Sequence, residues 1–376
     1  MRKFSAFLMA FLLVLLPACG GKEKKSAKPK KSAASPSPAK PALCPLTGAA
    51  APSDLDSDRP ALSVKIDNSV KGRPQAGLEK ADIVYEELAE GGITRFNAIY
   101  HCSDAESLGP VRSARFVDVD INLEYGGRTN NSSVLFAYAG AAGPVQDKVA
   151  STSGITDLRH GKGAAAYRRE KGRSAPQNLF SSTEALRGLK EAQDVKGAPE
   201  TGLEFETSGP ASPSAAGAPS VSATSGASSS PSASGAPPAA GAASPGNEVS
   251  FTFAGGQPSR YTYDAASGAY LRFHGAQAHN SAASGQLKVV NVVIFKVQVK
   301  PGTIKDAAGN VSPDISVIGN GEAVVLSGGQ SKTGKWNRVG LADKTTITDA
   351  AGAPIKLKPG NTWIHLIPTS QAITVK

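Results

Sequence analysis

The chain has 376 residues, 40% of them hydrophobic and 19% charged, with a formal net charge of +10. That is enough apolar sequence for two ordinary domains. The three cysteines (Cys19, Cys44, Cys102) form no Cys-x-x-Cys and join no His/Cys cluster, so no metal site or cofactor is expected.

The first segment, MRKFSAFLMAFLLVLLPAC, has a basic start (Arg2, Lys3) and an apolar run from Phe4 to Leu16. Residues 1–18 read as a secretory signal peptide. The run is short for a membrane span, which needs about 20 residues. Leu16-Pro17-Ala18-Cys19 resembles the bacterial lipobox. Cys19 is therefore the expected lipidation site, carrying palmitate-type chains; an ordinary cleaved signal is the alternative. Each buried CH₂ contributes about 0.8 kcal/mol, so several acyl chains hold a protein at a bilayer where one does not.

Residues 19–58 read as a disordered tether, rich in Lys, Ser, Ala and Pro with little to bury. About 40 such residues span roughly 35 Å on average. Residues 21–42 carry seven lysines against Glu23, and Arg2 and Lys3 leave with the signal, so +2 of the +10 belongs to the remainder. The basic tether lies beside anionic lipid or wall polymer, or is simply a solvated tail. Nucleic acid is not an expected partner.

Residues 59–207 mix elements. ALSVKIDN (61–68), ADIVYEEL (81–88), ITRFNAIYH (93–101) and SSVLFAYAG (132–140) read as strands. A short helix is predicted over residues 144–150. Ser181-Ser182-Thr183-Glu184 has the capping-box pattern and predicts a helix to about Ala192. VDVDINLEY (117–125) alternates as a strand does. Residues 208–246 are Ala, Ser, Pro and Gly with few other residues, a disordered spacer. From 247 to 376 all runs are β-rich, punctuated by DAASGA, DAAGNV and DAAGAP turns. Residues 288–300 are long enough to bend or switch sheets. The expected fold is α+β: an N-terminal mixed α/β domain and a C-terminal all-β sandwich or barrel-like domain.

Three arginines, Arg95, Arg112 and Arg115, sit in strand-like sequence. At a helix start Arg112 and Arg115 share a face; in a strand they do not. Gly109-Pro110 turns the chain before them, and Ser113 is placed to cap a following helix. Guanidinium forks beside helix-start N–H groups suit an anion. Asp67, Glu86, Glu87 and Glu90 are near in sequence, so ion pairs of Arg95 with Glu90 or Glu86, and of Arg112 or Arg115 with Asp67 or Asp118, are the plain alternative. Arg168, Arg169, Arg173 and Asn178 either join that pocket or lie on the surface. His160 reads as a loop residue, His365 as a half-buried strand residue, and Trp336 and Trp363 as core. Cys44 and Cys102 allow one disulfide, or are two free buried thiols.

CPLTG (44–48), RPALSVKIDNSVKGRPQAGLEKADIVYEELAEGGITRFNAIY (59–100), LGPVRSARFVD (108–118), APQNLFSS (175–182), YDAASGAYLRF (263–273), VVNVVIFKV (289–297) and LKPGNTWIHLIP (357–368) resemble the YerB-like bacterial lipoproteins. That family pairs two domains of unknown function. The resemblance implies a lipid-anchored envelope protein and a helix, not a strand, over 117–125. It also marks Asp67, Asn68, Arg73, Gln75, Glu86, Glu90, Arg95, Arg112, Ser113 and Arg115 as polar positions of interest. This chain departs at Ala278-His279, where the family has Pro-His, and at Gln177, where it has His.

Three functions follow. In an envelope binding module, Arg95, Arg112, Ser113, Arg115, Asn68 and Arg73 hold an anionic wall or lipid-linked ligand, with Asp67, Glu86 and Glu90 orienting them. In a phosphate or glycan transferase or hydrolase, by fold analogy with LytR–CpsA–Psr enzymes, Asp67 or Glu90 is the base or a metal ligand. In a scaffold for an envelope protein partner, the arginines are spent on ion pairs.

Overall fold

The computed structural model describes residues 42–126, 133–207, 243–254, 256–306 and 309–376. The signal segment, Cys19 and most of the spacer lie outside the described residues.

In the N-terminal half, β1 (Leu62–Asp67), β2 (Ile83–Leu88) and β3 (Thr94–Tyr100) pair antiparallel through the central β3. Helix α1 (Phe116–Leu123) follows, then β4 (Val134–Ala137), parallel to β1. Helix α2 (Gly143–Ser151) carries the chain to β5 (Ile155–Asp157), parallel to β4, which makes a β-α-β unit. Residues 116–123 are helical despite their alternation. Val117, Ile121 and Tyr125 recur at helical spacing and are buried, and the Asp118 carboxylate accepts the Arg115 N–H to close the first turn.

The C-terminal half is all strand. Its inner layer is β6 (Glu248–Phe253), β7 (Gln257–Asp264) and β8 (Ala269–His274). The chain then switches sheets: Val289 pairs with Tyr270 of β8, whereas β9 (Asn291–Val297) joins the large sheet. A hairpin of β10 (Val299–Lys305) and β11 (Val311–Ile315) follows. After it come β12 (Gly319–Ser327), β13 (Gln330–Arg338), β14 (Thr346–Thr348), β15 (Thr362–Pro368) and β16 (Ile373–Val375).

One sheet runs through both halves, in the order β14-β13-β12-β9-β15-β2-β3-β1-β4-β5. Its centre is β15, parallel to β9 on one side and to β2 on the other. All seven residues of β15 are buried, as expected of a parallel strand covered on both faces. The second sheet, β8-β7-β6-β16, lies against this centre, with Phe251, Phe253 and Tyr261 around His365. The spacer thus divides the sequence, while the strands on either side of it share one ladder.

Three local expectations need correction. Residues 42–58 are not tether: Leu46 is fully buried, Leu43 bridges Ala50, and the Thr47 carbonyl accepts the Gly360 N–H at 2.8 Å. Ser113 does not cap α1. Arg115 is the N-cap residue, and the Ser113 hydroxyl donates to the Ala139 carbonyl. The cap of the 183–187 helix is Ser182, whose side chain accepts from Ala185, and that helix ends at Arg187 before Gly188.

Cys44 and Cys102 form a disulfide that pins the first described turn to the end of β3, closing a separation of 58 residues. Cross-linking a loop of this length removes unfolded-state freedom. We expect Cys102→Ser to lower stability by about 2–4 kcal/mol, read as a lower urea midpoint with a steeper slope, because the freed unfolded chain exposes more surface.

Candidate functional site

Glu86 and Glu87 are consecutive on β2, so their carboxylates leave opposite faces of the sheet. Both are fully buried. A buried carboxylate is tolerated only where cations and hydrogen bonds compensate its lost hydration. Each face supplies its own set.

On the α1 face, Lys65 contacts Glu87 and lies 2.7 Å from Asp118. Two residues further along β1, Asp67 meets Arg95 at 3.1 Å and Arg112 at 3.4 Å, and accepts the Ser69 N–H at 2.8 Å. Arg115 binds Glu90 with two nitrogens of its fork, its Nε at 2.6 Å, and Ser312 of β11 also contacts Glu90. The three arginines gather: burial first, then the charges of Arg112 and Arg115, pushes Arg95 down to about 10 despite Asp67. Yet they gather with acids. Lys65, Arg95, Arg112 and Arg115 are balanced by Asp67, Glu87, Glu90 and Asp118, four against four. Arg112 is the least engaged, about one-fifth exposed and paired only through Nε. A cleft of about 310 Å³ adjoins the cluster, lined by Glu90, Ser113, Arg115, Ala141, Val145 and Ile304. A larger groove of about 620 Å³ lies beside Arg260 on the second sheet and holds none of the expected residues.

On the opposite face, Glu86 meets the C-terminal half. Arg272 of β8 is fully buried and donates to Glu86 at 2.7 Å, to the Tyr261 hydroxyl at 2.8 Å and to Ser259 at 3.1 Å. Its guanidinium sits 5.0 Å from the Trp363 ring and 5.4 Å from Phe96. His365 lies next to Glu86 in the β2–β15 register, with Nδ1 3.0 Å from the carboxylate. Burial holds His365 below its ordinary value, as it does His279, so both rings are neutral. Tyr261 then donates to His365 Nε2, and His279 Nε2 donates to Gln75 at 2.8 Å while its Nδ1 accepts from Arg272. Asn68 completes the N-terminal side, donating to Glu86 at 2.9 Å and to Thr94 at 2.6 Å, and Arg73 donates to the Asn68 carbonyl at 3.0 Å. Burial raises the pKa of Glu86, but Arg272, and then His365, hold it well below the carboxylate range.

The structure therefore divides the expected site. Asp67, Glu90, Arg95, Arg112, Ser113 and Arg115 stand on the α1 side. Asn68, Arg73, Gln75 and Glu86 belong to a buried seam between the halves. His365 is fully buried, not half-buried, because β15 is a central strand. Of the outlying candidates, Arg173 reaches the carbonyl of Pro74, while Arg169 and Asn178 bond each other at the surface. His160 packs edge-on against Tyr167.

Sequence reasoning missed Lys65 and Arg272, and named Glu87 without its partner Lys65. Their signal was present: a lysine inside LSVKID and an arginine inside AYLRF are charges in runs otherwise fit for burial. Among the described residues, no group of three or more His, Cys, Asp or Glu side chains is arranged to hold a metal.

Residues 46–196 match the family described as "Protein of unknown function (DUF3048) N-terminal domain", and residues 249–364 match its C-terminal partner. The chain is 26% identical to "Putative lipoprotein YerB" of Bacillus subtilis (strain 168), across 98% of this chain and 96% of that one. It superposes on the crystal structure of YerB from Bacillus subtilis with a TM-score of 0.66 and 22% identity, covering 89% of this chain and 99% of that structure.

Glu86→Gln leaves Arg272 buried without its counter-ion, and we expect a loss of about 3–5 kcal/mol at neutral pH. Because the folded-state pKa of Glu86 is lowered, its contribution is present above the ordinary carboxyl value of 4.5 and is lost as pH falls below it. Urea midpoints measured from pH 7 to pH 3 should therefore fall less steeply in the variant than in the wild type.

Proposed function

We propose that this chain, which belongs to the YerB-like family of lipoproteins with paired DUF3048 domains, is an envelope scaffold. Acylated at Cys19 and exposed on the outer face of the cell membrane, it presents a rigid two-sheet body to a protein partner. The supporting observation is the charge balance of the α1-side cluster. Arg95, Arg112 and Arg115, three of the guanidinium groups expected to grip an anion, each already meet a carboxylate of the same chain. An incoming anion would have to displace Asp67 or Glu90, and the displaced carboxylate would then lie unpaired in a largely buried place.

The transferase reading is weaker for the same reason. Burial raises the pKa of Glu90, but Arg115 outweighs it and holds the group below the usual carboxylate range, which makes a poor general base. Asp67 is shared by Ser69, Arg95 and Arg112.

The binding-module reading keeps one specific support, the partly exposed Arg112 with a single ion-pair contact beside the cleft. Purified wall fragments and lipid-linked precursors, titrated against wild type and Arg112→Ala, separate the two. The scaffold reading expects no binding, or equal binding by both proteins; a tenfold loss in the variant would replace it with the ligand reading. Cys19→Ser should move the chain from the membrane fraction to the soluble one, and retention at the membrane would remove the anchor from the proposal.

A further inference from the structure

Lys65, Glu87 and Asp118 come from three different elements and meet where all three are fully buried. Lys65 lies on β1, Glu87 on β2 beyond β3, and Asp118 in the first turn of α1, which crosses above them. Lys65 Nζ is 2.7 Å from Asp118 Oδ1 and contacts Glu87 Oε1. Two details exceed what a plain ion pair requires. Asp118 Oδ2 accepts the Arg115 backbone N–H at 2.6 Å, which polarises that carboxyl group. Glu87 Oε2 is buried without any hydrogen-bond partner among the described residues, which leaves that carboxyl group free to take and release a proton.

We propose that Lys65 and Asp118 condense into an intramolecular amide, with Glu87 as the proton carrier. Lys65 passes one proton by way of Glu87 to Asp118 Oδ1, and the neutral amine attacks Cγ of the resulting carboxylic acid. The C–N bond forms, and the negative charge that develops on Oδ2 rests on the Arg115 N–H. Glu87 then takes a second proton from the nitrogen and delivers it to Oδ1, the C–Oδ1 bond breaks, and Oδ1 departs as water with both protons lost by the amine. An ammonium and a carboxylate become an amide and one water, with no change of oxidation state and no co-reactant. Proximity supplies the rate, since reacting atoms held this close behave as if at a very high effective concentration. Burial supplies the neutral amine: it brings the Lys65 pKa down to about 8 against the opposing charge of Asp118. The product replaces the Lys65–Asp118 charge pair with a neutral amide. It covalently ties β1 to α1, the helix that roofs the arginine cluster.

The test is peptide mapping of the full-length protein, extracted in detergent and reduced to open Cys44–Cys102. The expected result is a branched peptide joining the Lys65 and Asp118 segments, lighter than their sum by one water, with the two linear peptides depleted. Linear Lys65 and Asp118 peptides from folded wild type overturn the proposal, and so does a branch ending at Glu87. Lys65→Arg should give only linear peptides. Glu87→Gln keeps both reacting residues and should also stay linear, with circular dichroism showing retained structure. A Glu87→Gln chain linked as completely as wild type removes Glu87 from the reaction.

Discussion

Two adjacent carboxylates on one central strand govern much of this structure. Strand geometry sends Glu86 and Glu87 to opposite faces, and both faces are closed to water. Each carboxylate must therefore be met by cations from whatever layer covers it. On one side this recruits Lys65 and the α1 layer; on the other it recruits Arg272 and the second sheet. The same dipeptide thus specifies where α1 sits and how the C-terminal half docks. Replacing such groups by apolar residues can be neutral or stabilising in other proteins, so their value here is read as register and orientation rather than strength.

Much of the fold was legible because local signals agreed. The first four strands, α2 and the β-rich second half follow from periodicity and turn residues, and the sheet switch near Val290 from the length of one apolar run. The pattern over 117–125 misled by period alone, since helix and strand both bury Val117, Val119 and Ile121. Residues 42–58 misled by composition. Their order comes from a disulfide partner and a neighbour more than 300 residues away, and no window of sequence contains either.

The arginines were legible as a cluster, and they converge. What the sequence did not reveal is which acids face them. Asp67 and Arg95 are paired by β1–β3 register, and Glu90 and Arg115 by the turn after β2, so the neutralisation depends on strand order. The seam around Arg272 was hidden for a related reason. Its members lie at 68–86, 259–279 and 365, and only the insertion of β15 beside β2 brings them together.

That insertion also bears on how the molecule matures. The strand at the middle of the large sheet follows every other strand of that sheet in sequence. Without Thr362–Pro368, β2 and β9 each present a bare edge, and closing the β2 edge pairs Ile83 with Thr362, two residues far apart in the chain. A fragment truncated by a dozen residues or so would keep almost all of the composition and lose the keystone of both halves. Until that strand is in place both halves keep an open sheet edge, and an open edge is where an unfinished chain pairs with the wrong partner.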